Sequence, residues 1–136
     1  MILVSACLAG FRCRYDAERT EKSEIVALVR NGKAVAVCPE QLGGLPCPRP
    51  PCERTEDGRV VTAAGEDKTD AFLCGALETL RLARLYGCDR AILKAKSPSC
   101  GKGAIYDGTF SHTITAGSGV AAELLEQNGI AVEVLD

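Results

Sequence analysis

Eight cysteines are spread along this chain of 136 residues, and three of them stand where a thiol can do chemistry. Cys7 lies two residues past the apolar run 2–5, and Cys38 directly follows the run 34–37. Cys100 sits in the turn SPSCGKG after the run 91–95. Each run reads as a short buried strand. In a parallel sheet the carboxyl ends of the strands share one edge, and ligand sites lie in the crevice there. Three thiols distant in sequence would converge at that edge. A structural zinc ion usually takes four ligands, often from C-x₂₋₄-C pairs. The nearest pair here, Cys47 and Cys52, is C-x₄-C and a weak signal. A [4Fe–4S] cluster takes thiolates at its irons. Held by only three, it keeps one iron open as a Lewis acid, to which a soft atom such as sulfur is suited. Cysteine is also a small buried hydrophobe. That plainer reading fits Cys74 and Cys88, on or beside the long helical segment. Cys13, Cys47 and Cys52 are either incidental or a source of a fourth ligand.

Two further side chains join this constellation. Glu40 stands two residues after Cys38 in VCPE, and alternation along an extended segment aims both to one side. A carboxylate beside a metal site can act as general base or proton donor; the plain alternative is a solvated loop glutamate. Ser97 and Ser99 flank Pro98 just ahead of Cys100. Ser97 is the better candidate to hydrogen-bond a substrate, although serine also serves its own backbone in turns. Arg49, Lys94 and Lys96 can orient an anionic or carbonyl group, and His112 is the lone histidine. For each of these, surface charge or a structural role is the simpler reading. No phosphate-binding glycine fingerprint is present.

These residues need elements to position them. Helical spacing predicts helices over 21–30, 68–86 and 119–127, and a last strand over 130–134. In the second of these, Phe72, Leu73, Ala76, Leu80, Ala83 and Leu85 fall mostly on one stripe. The segment 38–58 holds five of the six prolines and three cysteines, and reads as a long functional loop that is not helical. Residues 59–62 read as a hairpin arm after Asp57-Gly58. Strands alternating with helices imply an α/β fold. The expected form is a single three-layer domain over 1–136, with a mostly parallel sheet of about four strands and the site at their carboxyl ends.

Composition narrows the function. With 46% hydrophobic and 25% charged residues, the chain reads as globular. A net charge of −2 gives no electrostatic reason to expect nucleic-acid binding. No apolar run reaches the length of a membrane span. The opening MILVSACLAG lacks a basic flank and reads as a strand, so the expected location is cytoplasmic.

Three stretches, VSACLAG with RYD, VCPEQLGGLPCPRPP and KAKSPSCGKGAIYDGTF, resemble the bacterial thiouracil desulfidase family, long catalogued as the domain of unknown function DUF523. The resemblance runs over essentially the whole chain. It implies one α/β domain holding an oxygen-sensitive [4Fe–4S] cluster on three cysteines, which removes sulfur from a thiolated nucleobase or nucleoside and releases the oxo base. Carried over, the cluster ligands are Cys7, Cys38 and Cys100, and the catalytic residues are Glu40 and Ser97. A sulfide acceptor is a further partner this chemistry allows. The sequence departs from the family pattern at Ala17, where glycine commonly follows YD, at Cys47 in place of threonine and at Cys52 in place of alanine. Three rival readings are an iron–sulfur protein for sulfur or electron transfer, a zinc module without catalysis, and an adaptor with structural cysteines.

Overall fold

The structure, a computed structural model, describes residues 1–136. In chain order the elements are β1 (Ile2–Ser5), α1 (Ser23–Arg30), β2 (Ala34–Val37), α2 (Pro39–Leu42), β3 (Cys52–Arg54), β4 (Val60–Thr62), α3 (Thr69–Leu85), β5 (Arg90–Lys94), β6 (Ala104–Tyr106), β7 (Ile114–Ala116), α4 (Val120–Gln127) and β8 (Ala131–Leu135). Four strands form one sheet in the order β2-β1-β5-β8, and every pairing is parallel. Strand alternation sends side chains to both faces. Leu3, Ala91, Leu93 and Val132 pack on one face with Leu80 and Ala83 of α3 and Ala122 and Leu125 of α4. Val4, Ala34 and Ile92 pack on the other with Ile25 of α1. The result is three layers, helices on both sides of a parallel sheet, as the alternating pattern predicts.

The structure departs from the sequence pattern at four places. The segment after β2 begins with a short helix, α2, because its proline occupies the first turn, where the missing N–H costs nothing. On α3 the buried residues are Phe72, Gly75, Ala76, Thr79, Leu80 and Ala83, so Leu73 and Leu85 face outward, 47% and 75% exposed. Cys74 lies exposed beside them and is not a core residue. The second antiparallel hairpin, β6–β7, follows the SPSC turn within a segment the sequence does not mark as strand. The first, β3–β4, is the one Asp57-Gly58 predicts.

Two close approaches hold the site's segments. A Cβ on Gly75 would meet the Pro39 carbonyl oxygen at 1.9 Å, and one on Gly43 would meet the Ala71 oxygen at 2.0 Å. Only glycine lets α2 rest backbone to backbone on α3, which fixes Cys38 and Glu40 at either side of Pro39. At the start of α4, the N–H groups of Val120, Ala121 and Ala122 donate to the carbonyls of Pro98 and Ser99 at 2.8–3.0 Å. The otherwise orphaned helix donors thus anchor the turn that carries Cys100.

Candidate active site

The three thiols named from sequence leave three neighbouring strands. Cys7 lies in a single 3₁₀ turn, Ala6–Ala9, straight after β1. Cys38 is the residue before α2, straight after β2, and Cys100 lies in the turn beyond β5. Because β2, β1 and β5 are adjacent and parallel, all three reach one cavity of about 580 Å³ at the carboxyl edge. Glu40 and Ser97 line the same cavity, as do Arg49, Lys94, Lys96 and His112. The structure thus brings Cys7, Cys38, Cys100, Glu40 and Ser97 together, with Cys13 and Cys52, while Cys47 and Ser99 stay outside the cavity.

The thiols differ in electrostatics. Cys13 lines the cavity too, its thiol beside those of Cys7 and Cys38, and its carbonyl oxygen accepts the Cys38 thiol at 3.7 Å. Those contacts, with burial, hold its own proton and push it up. In return Cys13 lowers Cys7 to about 6, against the opposing effect of burial, and lowers Cys38 to about 7. Cys100 is fully enclosed, and burial pushes it up to about 12, partly relieved by the Ser5 hydroxyl. The oxygen of Ser5 already accepts the Lys94 N–H at 2.9 Å, which leaves its proton free to face the sulfur. Thiolate ligands must be deprotonated. Cys7 and Cys38 therefore approach neutral pH ready to ligate, while Cys100 must release a proton when a soft metal centre binds.

The donor set fits a polynuclear cluster better than a single ion. No three His, Cys, Asp or Glu side chains are gathered as a ligand set for a single metal ion. In a cluster each thiolate takes a different iron, so the thiols stand apart. The Thr20 hydroxyl, buried and facing Cys7, has no other partner. An unpaired buried hydroxyl beside Cys7 is a donor that a bound sulfur-rich group can satisfy.

Glu40 and Ser97 bring a carboxylate and a hydroxyl to the cavity. Arg49, its side chain 5% exposed, holds Glu40 by two hydrogen bonds, from Nε at 2.8 Å and from Nη2. Burial works against the guanidinium charge, but Glu40 outweighs it and raises the Arg49 pKa. Both bonds fall on Oε2, which leaves Oε1 without a protein donor. Ser97 Oγ accepts the N–H groups of Ser99 and Cys100, each at 3.0 Å. With both acceptor sites used, what Ser97 still offers is its proton. The turn role and the site role weighed from sequence are thus one geometry. Ser99 is buried behind the turn and does not line the cavity.

Sequence reasoning left two features unresolved. The place of Cys13 between two candidate ligands needs the fold of the 6–20 loop, and a cysteine six residues after Cys7 was its only trace. The Arg49–Glu40 pair spans nine residues of proline-rich loop, whose path no periodicity reveals. Tyr106 and Phe110 also line the cavity, from the unforeseen β6–β7 hairpin.

A parallel α/β sheet with a thiol-lined cavity at its carboxyl edge, and a carboxylate and a hydroxyl aimed into it, defines a metal-cluster enzyme of the α/β class. Residues 2–136 match the family described as 2-thiouracil desulfurase, and the chain belongs to that family. It is 47% identical over 141 residues to the uncharacterized protein YbbK of Bacillus subtilis (strain 168), across 97% of this chain and 93% of that one. Among solved structures it is similar to the [4Fe-4S]-dependent thiouracil desulfidase TudS. The TM-score is 0.93 at 45% identity, across 98% of this chain and 89% of that one.

Proposed function

We propose that residues 1–136 act as one cytoplasmic desulfidase domain that converts a 2-thiouracil-like nucleobase, or its nucleoside, to the oxo base. Cys7, Cys38 and Cys100 hold a [4Fe–4S] cluster, Glu40 is the general base and Ser97 the proton donor. The observation that carries the reading is the convergence of three thiols from three adjacent strand ends on the cavity that Glu40 and Ser97 also face. The neighbour TudS supports the cofactor. The cluster supplies a Lewis-acidic iron with affinity for the substrate's sulfur.

The protein's own residues do the rest. Tyr106 and Phe110 offer aromatic faces to a planar base. A volume of about 580 Å³ lies within the usual small-ligand range of roughly 300–1,000 Å³. Glu40 Oε1 takes a proton from water, whose oxygen bonds the thiocarbonyl carbon. Arg49 fixes the other carboxylate oxygen, so the basic one keeps its aim. Ser97 Oγ donates its hydrogen to the atom on which charge develops. The C–S electron pair departs with the sulfur, which leaves as hydrosulfide to solvent or to an acceptor. Thiobase plus water gives oxo base plus hydrogen sulfide, with no net electron transfer. The eight free thiols suit a reducing cytoplasm.

Substitution separates the two roles. Cys7→Ala, Cys38→Ala and Cys100→Ala each lose bound iron and turnover together. Glu40→Gln keeps the iron and its visible spectrum, while turnover falls by about 10²-fold or more. A fully active Glu40→Gln protein would remove Glu40 from the mechanism.

A further inference from the structure

We infer that Glu53 reads the ring N3–H of the thiobase, and so selects thiouracil-type bases over thiocytosine-type ones. The inference rests on the proposed desulfidase reading and names the edge of the base that the cavity recognises.

Three carboxylates line the cavity: Glu40, Glu53 and Asp136. Glu40 is held by Arg49, and Asp136 meets Lys94 and Lys96 at 3.2 and 3.1 Å. Glu53 alone pairs with no cation, and its neighbour Arg54 is engaged elsewhere, by Glu123 at 2.5 Å and the Ser118 carbonyl at 2.7 Å. What holds Glu53 is backbone: its Oε1 accepts the N–H groups of Gly108 and Phe110 at 3.0 and 3.1 Å. Its Oε2 has no protein donor. A carboxylate can accept about four hydrogen bonds over its two oxygens, so Oε2 remains an open acceptor on a residue of the cavity wall.

That acceptor is fixed in place. Glu53 is the middle residue of β3 and pairs with Val61 of β4. The β6–β7 turn closes tightly on this strand: a Cβ on Gly108, whose φ is 93°, would meet the Thr55 Cα at 2.9 Å and the Arg54 carbonyl oxygen at 3.0 Å. Phe110, which gives its N–H to Glu53, adopts φ 58° and itself lines the cavity. Carboxylate and aromatic ring are therefore carried as one unit, the first to meet the edge of a planar base and the second its face. In a thiouracil the N–H that survives attachment of a sugar is the one at N3. It neighbours the carbon that bears sulfur in the 2-thio and the 4-thio isomer alike. In 2-thiocytosine N3 carries a lone pair instead, which leaves a carboxylate acceptor without its hydrogen.

The test uses wild-type and Glu53→Gln proteins loaded anaerobically with iron and sulfide. The substrates are 1-methyl-2-thiouracil, which has the N3–H, and 1-methyl-2-thiocytosine, whose N3 is bare. Glutamine keeps an oxygen for the Gly108 and Phe110 N–H groups and turns an amide NH₂ toward the base. The expected result is that wild type prefers the thiouracil, and that the ratio of the two kcat/KM values falls by about tenfold or more in Glu53→Gln, with bound iron and visible spectrum unchanged. The intrinsic reactivities of the two bases cancel in this comparison, and a Glu53 that only braces the hairpin would slow both alike. An unchanged ratio overturns the inference, as does a wild type that converts 2-thiouracil but not its 1-methyl derivative. Should Glu53→Gln fail to fold, competitive inhibition of wild type by the oxo products decides. There 1-methyluracil should bind about tenfold or more tighter than 1-methylcytosine, and equal inhibition overturns the inference. A wild type that loads iron yet leaves 2-thiouracil intact overturns the desulfidase reading and the inference with it.

Discussion

Cys38 shows how little of a site's chemistry lies in residue type. Its sequence position marks it as a candidate, yet the hydrogen bond from Cys13 is what lowers it from the ordinary thiol value to about 7. A depressed pKa means that the thiolate is present above that value and is lost as the pH falls through it. In iron-free protein, alkylation of Cys38 by iodoacetamide should therefore rise as the pH climbs through about 7 and level off near 8. Cys100, raised to about 12 by burial, should remain unmodified at those pH values. Peptide mass spectrometry reads both sites, and Cys38 labelling that rises only near pH 9 would contradict the account. That Cys7, Cys38, Cys100, Glu40 and Ser97 meet in one cavity is legible because each sits at a fixed offset from an apolar run or a turn. Cys13 and Arg49 were not, because their partners are set by two loops folding against each other.

At the scale of elements, Ala17 is the informative position. It adopts φ 58°, in the left-handed region where a Cβ is strained. Glycine is what the family resemblance expects there. A non-glycine residue in that region costs about 1–2 kcal/mol, and glycine's greater freedom in the unfolded chain returns part of the gain. Ala17→Gly should stabilise the protein by roughly 0.5–1 kcal/mol. Chemical denaturation checks this, and an unchanged or lower midpoint would show that the turn is not strained. The strands of the main sheet were legible to within a residue because each is a compact apolar run. The β6–β7 hairpin was not: its three-residue arms are too short to show alternation. It is held instead by remote contacts, the Glu53 carboxylate accepting the N–H groups of Gly108 and Phe110 at 3.0 and 3.1 Å. The buried face of α3 is not legible, because apolar residues such as Leu77 and Leu85 also occupy its outer side.

For the whole molecule, strand order decides everything. The order β2-β1-β5-β8 sets the Cys38, Cys7 and Cys100 segments side by side, whereas an order placing β8 between β1 and β5 would separate Cys100 from the other two. Sequence supplied the parallel sheet and its edge, and only the fold supplied the adjacency. The helices of one layer then close the edge into a cavity: α3 supports α2 with Glu40, and α4 supports the turn with Ser97. The most direct test of this arrangement starts from protein purified without oxygen and supplied with iron and sulfide. Iron content and the visible spectrum are recorded, and the protein is then mixed with 2-thiouracil. The account predicts about four irons per chain, a brown protein, and conversion of the thiobase to uracil with release of sulfide. A brown protein that leaves the C–S bond of every thiolated base and nucleoside intact would contradict the desulfidase reading, and a colourless one that takes up no iron would contradict the cluster itself.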